Sequence, residues 1–371
     1  MWSVSCVRRA SPALPDEVPL PPAARHLHAV GREPRPAGSA AEADARAWCR
    51  GELERHGFSV TEEPFAYSAA VARWMVPVVS AIVAVSLAAT AASWRAGGAT
   101  GRASASLGVL GLAIVLAARW AARTGVLSLP LARRAGINLV GTRGSPTVWL
   151  VAHLDTKSQP MPTLVRAALL VILGLVLVGT VLVGFSWPAS AEAPWVIPLV
   201  GTVAGIVLSF ATVGEDSPGA RDNGTGVAAV LATIERLPPA LSLGVVFPSA
   251  EELGLAGMRA WVRGRAPGTA INVDTVDDDG ALRCMVHGAQ SRALGSAVAR
   301  AGHVRVSGVI PGLLTDGVAL ADAGWQAVTV SGGTWRTLAR IHRPGDTVVG
   351  LTGRGADDVA RLLSTLLTTR P

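Results

Sequence analysis

The chain has 371 residues, 50% of them hydrophobic and only 16% charged, with a mean hydropathy of +0.41. Soluble domains carry about 25% charged residues, so a wholly aqueous protein is disfavoured, and the dominance of Val, Leu and Ala excludes intrinsic disorder. The net charge of +7 is almost all arginine, Lys157 being the one lysine, with no basic run and few aromatics, so nucleic acid is not an expected partner.

In chain order, the first twenty residues, MWSVSCVRRASPALPDEVPL, lack the apolar core of a signal peptide. Residues 37–57 read as a helix running into an extended segment, FSVTEEPFAY. Charge-free apolar stretches then cover 74–94 and 103–118, and two more cover 167–187 and 195–214. A spanning helix needs about 20 apolar residues, so 103–118 is the short one, relying on Arg102 and Arg119 to snorkel. Trp74, Trp94, Trp120, Trp187 and Trp195 sit at the ends of these segments, where interfacial rings belong.

Four spans make two transmembrane hairpins, 74–118 and 167–214, expected to contact membrane lipid. Residues 1–72, 120–165 and 215–371 then share one side and form one domain in three pieces. Arginines cluster near the spans on that side, so the positive-inside rule makes the chain a multi-pass membrane protein with a cytoplasmic domain. The spans carry no Asp, Glu or Lys, which disfavours a transporter and leaves Thr90, Thr180 and Thr202 as packing residues.

Outside the hairpins, strands are expected at 137–142, 147–155, 241–252, 269–276 and 326–332. Helices are expected at 222–237, near 255–264, near 291–302 and at 355–368. Such alternation predicts an α/β domain around a central sheet, with its site at the strand ends. There stand His153 and Asp155 in VAHLDT, Asp222 in GARDNGTG, Glu251 and Glu252 in FPSAEELG, Asp274 in INVDT and His342 in IHRPGD. Each alone has an ordinary reading: a strand-end histidine, a helix cap, an acidic first turn, a surface loop. Together, imidazoles and carboxylates at strand exits suit zinc. Cys6, Cys49 and Cys284 are odd in number and share no short spacing, so they form neither a disulfide framework nor a thiolate zinc site. His26, His28, His56, His287 and His303 fit no ligand pattern and are expected in loops or at the surface, and Cys284 as an apolar filler in a strand.

In the order of these segments the chain resembles the co-catalytic zinc aminopeptidases of clan MH, the group of bacterial leucyl aminopeptidases and glutamate carboxypeptidase-like enzymes. The likeness runs from about residue 25 to 370, with both hairpins as insertions. It implies a zinc-exopeptidase-like three-layer domain with a mixed central sheet, acting as a metallo-exopeptidase on peptides. It implies two zinc ions, with cobalt or manganese as substitutes. Asp222 would bridge them, His153 and Asp274 completing one position and Glu252 and His342 the other. Glu251 would be the general base, and Asp155 would orient His153.

Four positions depart from the family pattern. Leu154 replaces a frequent Tyr, Arg221 precedes the bridging Asp, Thr315-Asp316-Gly317 stands for Ser-Asp-His, and Ile341 replaces a Tyr that would serve as an oxyanion donor. Arg221, Thr315 and Asp316 are therefore the candidate substrate contacts. The leading expectation is a membrane-embedded zinc aminopeptidase. A carboxypeptidase or aminoacyl-amide hydrolase would use the same metals, with Arg221 as its anion anchor. A non-catalytic membrane scaffold would be marked by lost ligands, and none is lost. The hairpin between His153 and Asp222 further places the catalytic mouth near the membrane.

Overall fold

The computed structural model describes residues 22–187, 194–302, 304–309 and 313–369. The signal-peptide reading, Cys6, His303 and the turn between the third and fourth apolar stretches lie outside the described residues.

Helices α1 (Pro22–Val30) and α2 (Ala40–Arg55) open the described chain. Ser39 starts α2 by accepting a hydrogen bond from the Glu42 amide at 3.1 Å. Strand β1 (Ser59–Ser68) leads into the apolar helices α3 (Ala70–Arg95) and α4 (Thr100–Trp120), and a π-helical turn (Ala121–Gly125) carries α4 on into α5 (Val126–Ser128). Strands β2 (Arg133–Arg143) and β3 (Val148–Val151) follow, then the apolar helices α6 (Thr163–Ser186) and α7 (Val196–Leu208). The remainder alternates: α8 (Thr225–Arg236), β4 (Leu243–Phe247), α9 (Ala256–Trp261), β5 (Thr269–Val276), β6 (Leu282–His287), α10 (Arg292–Gly302), β7 (Arg305–Gly308), α11 (Asp316–Asp322), β8 (Gln326–Gly332), α12 (Trp335–Arg340) and α13 (Arg354–Thr368).

The eight strands form one mixed sheet in the order β1-β2-β4-β3-β5-β8-β6-β7. Its centre, β4-β3-β5-β8, is parallel, and β1, β2 and β6 are antiparallel to their inner neighbours. Parallel strands covered on both faces should be apolar throughout, and LGVVF in β4 is buried at every position. Leu150, Val245, Ile271 and Val328 pack under α1, α8 and α13, while the alternate residues Val151, Val246, Ala270 and Ala327 pack under α9 and α11. The expected three-layer α/β arrangement is observed.

Both apolar pairs interrupt this sheet rather than extend it. β1 and β2 pair from Ser59↔Thr142 to Ser68↔Arg133, so everything between them leaves and returns at one strand end. The second pair leaves after Ser158 and returns at Gly214, where the two residues bridge through N–H···O bonds of 2.9 and 2.8 Å. Among the described residues three helices are long and apolar enough to cross a membrane: α3, α6 and the run Thr100–Ser128. This corrects the expected ranking. The second stretch gains length because Arg119, Trp120 and the π turn continue its helix. The fourth is the short one, since α7 has 13 residues and its sequel is drawn out to meet Ser158.

The four helices pack around Val83, Leu87, Leu107, Leu173 and Leu208. Thr90, Thr180 and Thr202 are buried among them, as packing residues should be. The outward side chains Val85, Val109, Leu175, Leu182, Phe185 and Val203 are all more than half exposed.

Candidate metal centre

The predicted polar residues converge at the carboxyl ends of the parallel strands. His153 and Asp155 follow β3, Glu251 and Glu252 follow β4, Asp274 lies in β5 beside a register shift, and Asp222 precedes α8. His342 follows α12. Three of the five described non-glycine residues with positive φ are Ala250, Thr275 and His342, each at or next to one of these side chains. Backbone held in such sparsely populated conformations concentrates at working sites.

Asp222 is the hub. Its Oδ1 lies 3.3 Å from His153 Nε2 and its Oδ2 2.9 Å from His342 Nε2. Asp274 Oδ1 stands 3.9 Å from His153 Nε2, and Glu252 Oε1 3.1 Å from His342 Nε2. Two sets of three side chains thus offer ligand atoms close enough to hold a metal ion: His153, Asp222 and Asp274, and Asp222, Glu252 and His342. Glu251 belongs to neither, though its Oε2 is 3.9 Å from His153 Nε2. Both carboxylate oxygens of Asp316 are buried without a hydrogen bond, and Glu252 Oε1 is buried against His342 Nε2.

Burial of so many like charges splits their acidities. Burial pushes Glu251 well above the usual carboxylate range. Burial and the charge of Asp222 raise Asp274 to about 6. Burial also raises Asp316, to about 8. Asp222 goes the other way, because hydrogen bonds from His153 and His342 outweigh its burial. His342 rises to about 9: burial would lower it, but the charge of Glu252 and the hydrogen bonds to Asp222 and Glu252 together outweigh that. Groups with opposed shifts packed into one cleft mark a functional site.

Several supporting residues were not singled out from the sequence. Asp346 accepts from the amides of Arg221 at 3.0 Å and Asp222 at 3.2 Å, pinning the hub's backbone. Asn223 accepts from Gly226 and Thr275 and donates to the Val273 carbonyl, joining the start of α8 to β5. Lys157 Nζ pairs with Glu252 Oε2 at 2.5 Å. Thr163 Oγ1, at the first residue of α6, stands 3.4 Å from His342 Nδ1. Only the Pro-Gly turn before Asp346 and the isolation of Lys157 as a lone lysine hinted at any of these.

Other expectations change in detail. Asp155 orients His153 through its main-chain carbonyl, 3.0 Å from Nδ1, while its carboxylate accepts the amides of Glu251 at 2.9 Å and Glu252 at 3.2 Å. Arg221 does not reach toward a substrate carboxylate. Its guanidinium is buried against Asp277 at 3.1 Å and Asp346 at 3.4 Å. Thr315 turns to Thr329, hydroxyl to hydroxyl at 3.0 Å, and Asp316 opens α11 beneath the site. His26 and His287 are buried, not superficial. His26 meets Glu235 at 3.0 Å and accepts from Trp48. His287 bonds Thr329 at 2.8 Å and fills the space over Gly317, where an added Cβ would come within 2.3 Å of its Nε2. Cys284 is buried in β6, as an apolar filler should be.

The model of peptidase family M28 matches residues 137–367, more than half of the chain and all of the converging side chains. The chain belongs to peptidase family M28. It is accordingly a metallo-exopeptidase. No curated protein matches the chain. Among solved structures, it is similar to an aminopeptidase from Aneurinibacillus sp. strain AM-1, with 15% identity over 93% of this chain and 92% of that one and a TM-score of 0.52. It is likewise similar to BSAP, a zinc aminopeptidase from Bacillus subtilis, with 14% identity over 93% of each chain and a TM-score of 0.54. The glutaminyl cyclase of Fimbriiglobus ruber has 14% identity over 98% of this chain and all of that one, with a TM-score of 0.54. At these identities the likeness is one of fold.

Proposed function

We propose that the protein is a membrane-embedded zinc aminopeptidase that removes amino-terminal residues from peptides. The observation that carries this reading is Asp222 offering one oxygen to each of two ligand sets. The donor set fits zinc: imidazole nitrogens and carboxylate oxygens, no thiolate, and a buried Glu252 Oε1 whose polar neighbour, His342 Nε2 at 3.1 Å, belongs to the same ligand set. His153, Asp222 and Asp274 would hold one ion, and Asp222, Glu252 and His342 the other. Bound zinc supplies Lewis acidity, acidifying a water and polarising the scissile carbonyl.

The residues do the rest. Both imidazoles aim Nε2 at Asp222 because Nδ1 is engaged elsewhere, His153 by the Asp155 carbonyl and His342 by Thr163. Asp155 fixes the turn that sends Glu252 into a ligand set and leaves Glu251 outside both. Glu251 is the proton acceptor, and the burial that raises its pKa suits a carboxyl that takes a proton and must pass it on to a leaving amine. With Arg221 committed to Asp277 and Asp346, the feature that favoured a carboxypeptidase no longer supports one.

The domain division supports membrane embedding. The chain between β1 and β2 and the chain between Ser158 and Gly214 leave and return at one edge of a continuous sheet, and the outward faces of their described helices are apolar. Exposed apolar surface this extensive marks a lipid or protein interface. The residues between the strands then form two hairpins, α3–α4 and α6–α7, with 1–72, 120–165 and 215–371 as one domain, cytoplasmic by the positive-inside rule. Digestion of that domain by protease added to intact cells would contradict the orientation.

The test of function uses purified full-length protein, an aminoacyl-peptide panel and metal analysis. Wild type should release amino-terminal residues and contain two zinc ions. Glu251→Gln should retain zinc and lose at least about 100-fold in rate, the scale of one general base. Asp222→Asn should lose zinc and activity together. Equal rates for wild type and Glu251→Gln would overturn the reading.

A further inference from the structure

The site is joined to the inserted helices more closely than the connectivity of the fold requires. Thr163, the first residue of α6, lies 3.4 Å from His342 Nδ1. The Gln159 amide donates to the His342 carbonyl at 2.8 Å, and Arg343 donates to the Pro160 carbonyl at 2.7 Å. Ser158 and Gly214, the two ends of the α6–α7 insertion, bridge one another three residues or fewer from Lys157, Asp155 and the Glu252 contact. A site on the pole opposite the hairpins would have none of these contacts.

These contacts set a depth. The uncharged run of α6 begins just after Arg166, about three residues or ~5 Å along the helix from Thr163 at 1.5 Å per residue. Headgroup layers extend roughly 5–8 Å beyond the hydrocarbon on each side of a bilayer. His342 therefore stands at headgroup level if α6 spans. The neighbouring α12 carries the matching surface. It packs against α6, its Trp335 is 68% exposed with Arg336 over the ring, and its sequence WRTLAR contains no acid. Tryptophan and arginine side by side are the usual residues of a membrane interface.

We propose that the natural substrates are peptide chains whose amino termini lie at the membrane surface, anchored there by a lipid or an apolar segment only a few residues away. This deepens the aminopeptidase reading and rests on it. A freely diffusing peptide can enter the same site, but an anchored one reaches it without leaving the headgroup layer. A domain of this size is roughly 40–50 Å across, so a site on its far pole would be closed to short anchored chains.

The test is a ruler. Peptides with one amino-terminal sequence are linked at the carboxyl end to a phospholipid through spacers of about 5 or about 20 residues, spanning at most roughly 18 and 70 Å. Both are placed in bilayer nanodiscs with the full-length protein, beside the same peptide without lipid. Cleavage of the short- and long-spacer peptides at rates within about twofold is the expected result, since both reach a site ~10 Å from the hydrocarbon. If the long-spacer and lipid-free peptides are cleaved and the short-spacer peptide is at least tenfold slower, the proposal is overturned while the aminopeptidase reading stands. If none is cleaved, both are overturned.

Discussion

The two imidazoles of the centre solve one problem by different means. Each must present Nε2 to Asp222, and each does so because Nδ1 has a partner: the Asp155 carbonyl for His153 and the Thr163 hydroxyl for His342. Outer contacts of this kind change metal affinity by about 10–100-fold. Thr163→Val keeps the shape and removes the hydroxyl, so zinc titration should find one ion weakened by about that factor and the other unchanged, with Thr163→Ser restoring the weakened one. Two unchanged affinities would contradict the role. At this scale the side chains that converge could be read from the sequence, because imidazoles and carboxylates that each have an ordinary reading alone stand together at the exits of several apolar elements. The residues that aim them could not. Asp346, Asn223 and Thr163 are ordinary turn and cap residues by type, and only the fold brings them to the centre. The burial of His287 is hidden from the sequence for the same reason, since it depends on Gly317, thirty residues on, leaving room for a ring.

Strands with long apolar runs declared themselves, and β5 and β8 fall where the alternation placed them. The short elements β7, α11 and α12 did not, because four to seven residues hold too little period to set them apart from loop. The membrane-type helices were visible by hydropathy, but their lengths were not. Hydropathy stops at a charge, whereas the helix of α4 continues through Arg119, and α7 ends early because its chain turns to pair with Ser158. What seats α7 is small residues. Gly201 and Gly205 share one face, and a Cβ at Gly205 would come within 2.9 Å of Ala84 Cβ and the Ser80 carbonyl. Close backbone approach at a small-xxx-small spacing holds helices together where no hydrophobic drive separates lipid from protein. Gly205→Leu should therefore lower the thermal midpoint in detergent, by overpacking that costs about 1–3 kcal/mol. An unchanged midpoint would show that α7 does not pack on α3 in this way.

For the molecule as a whole, the sheet decides how the inserted helices can lie. β1, β2, β3 and β4 are hydrogen-bonded neighbours separated in sequence by the apolar pairs, so their flanking chain must stand on one side of any membrane. If α6 spans, as proposed, the short α7 would have to return the chain that α6 carries out. In the proposed membrane-embedded arrangement that constraint would bring the lipid boundary to the same edge of the domain as the parallel strand ends, with the centre at the seam between them. The most direct test is a zinc-edge anomalous diffraction map from crystals of the full-length protein. Two peaks flanking the Asp222 carboxylate are expected, one against His153 and Asp274 and one against Glu252 and His342. A map with no peak at Asp222, or with a single ion held without it, would contradict a shared dinuclear centre.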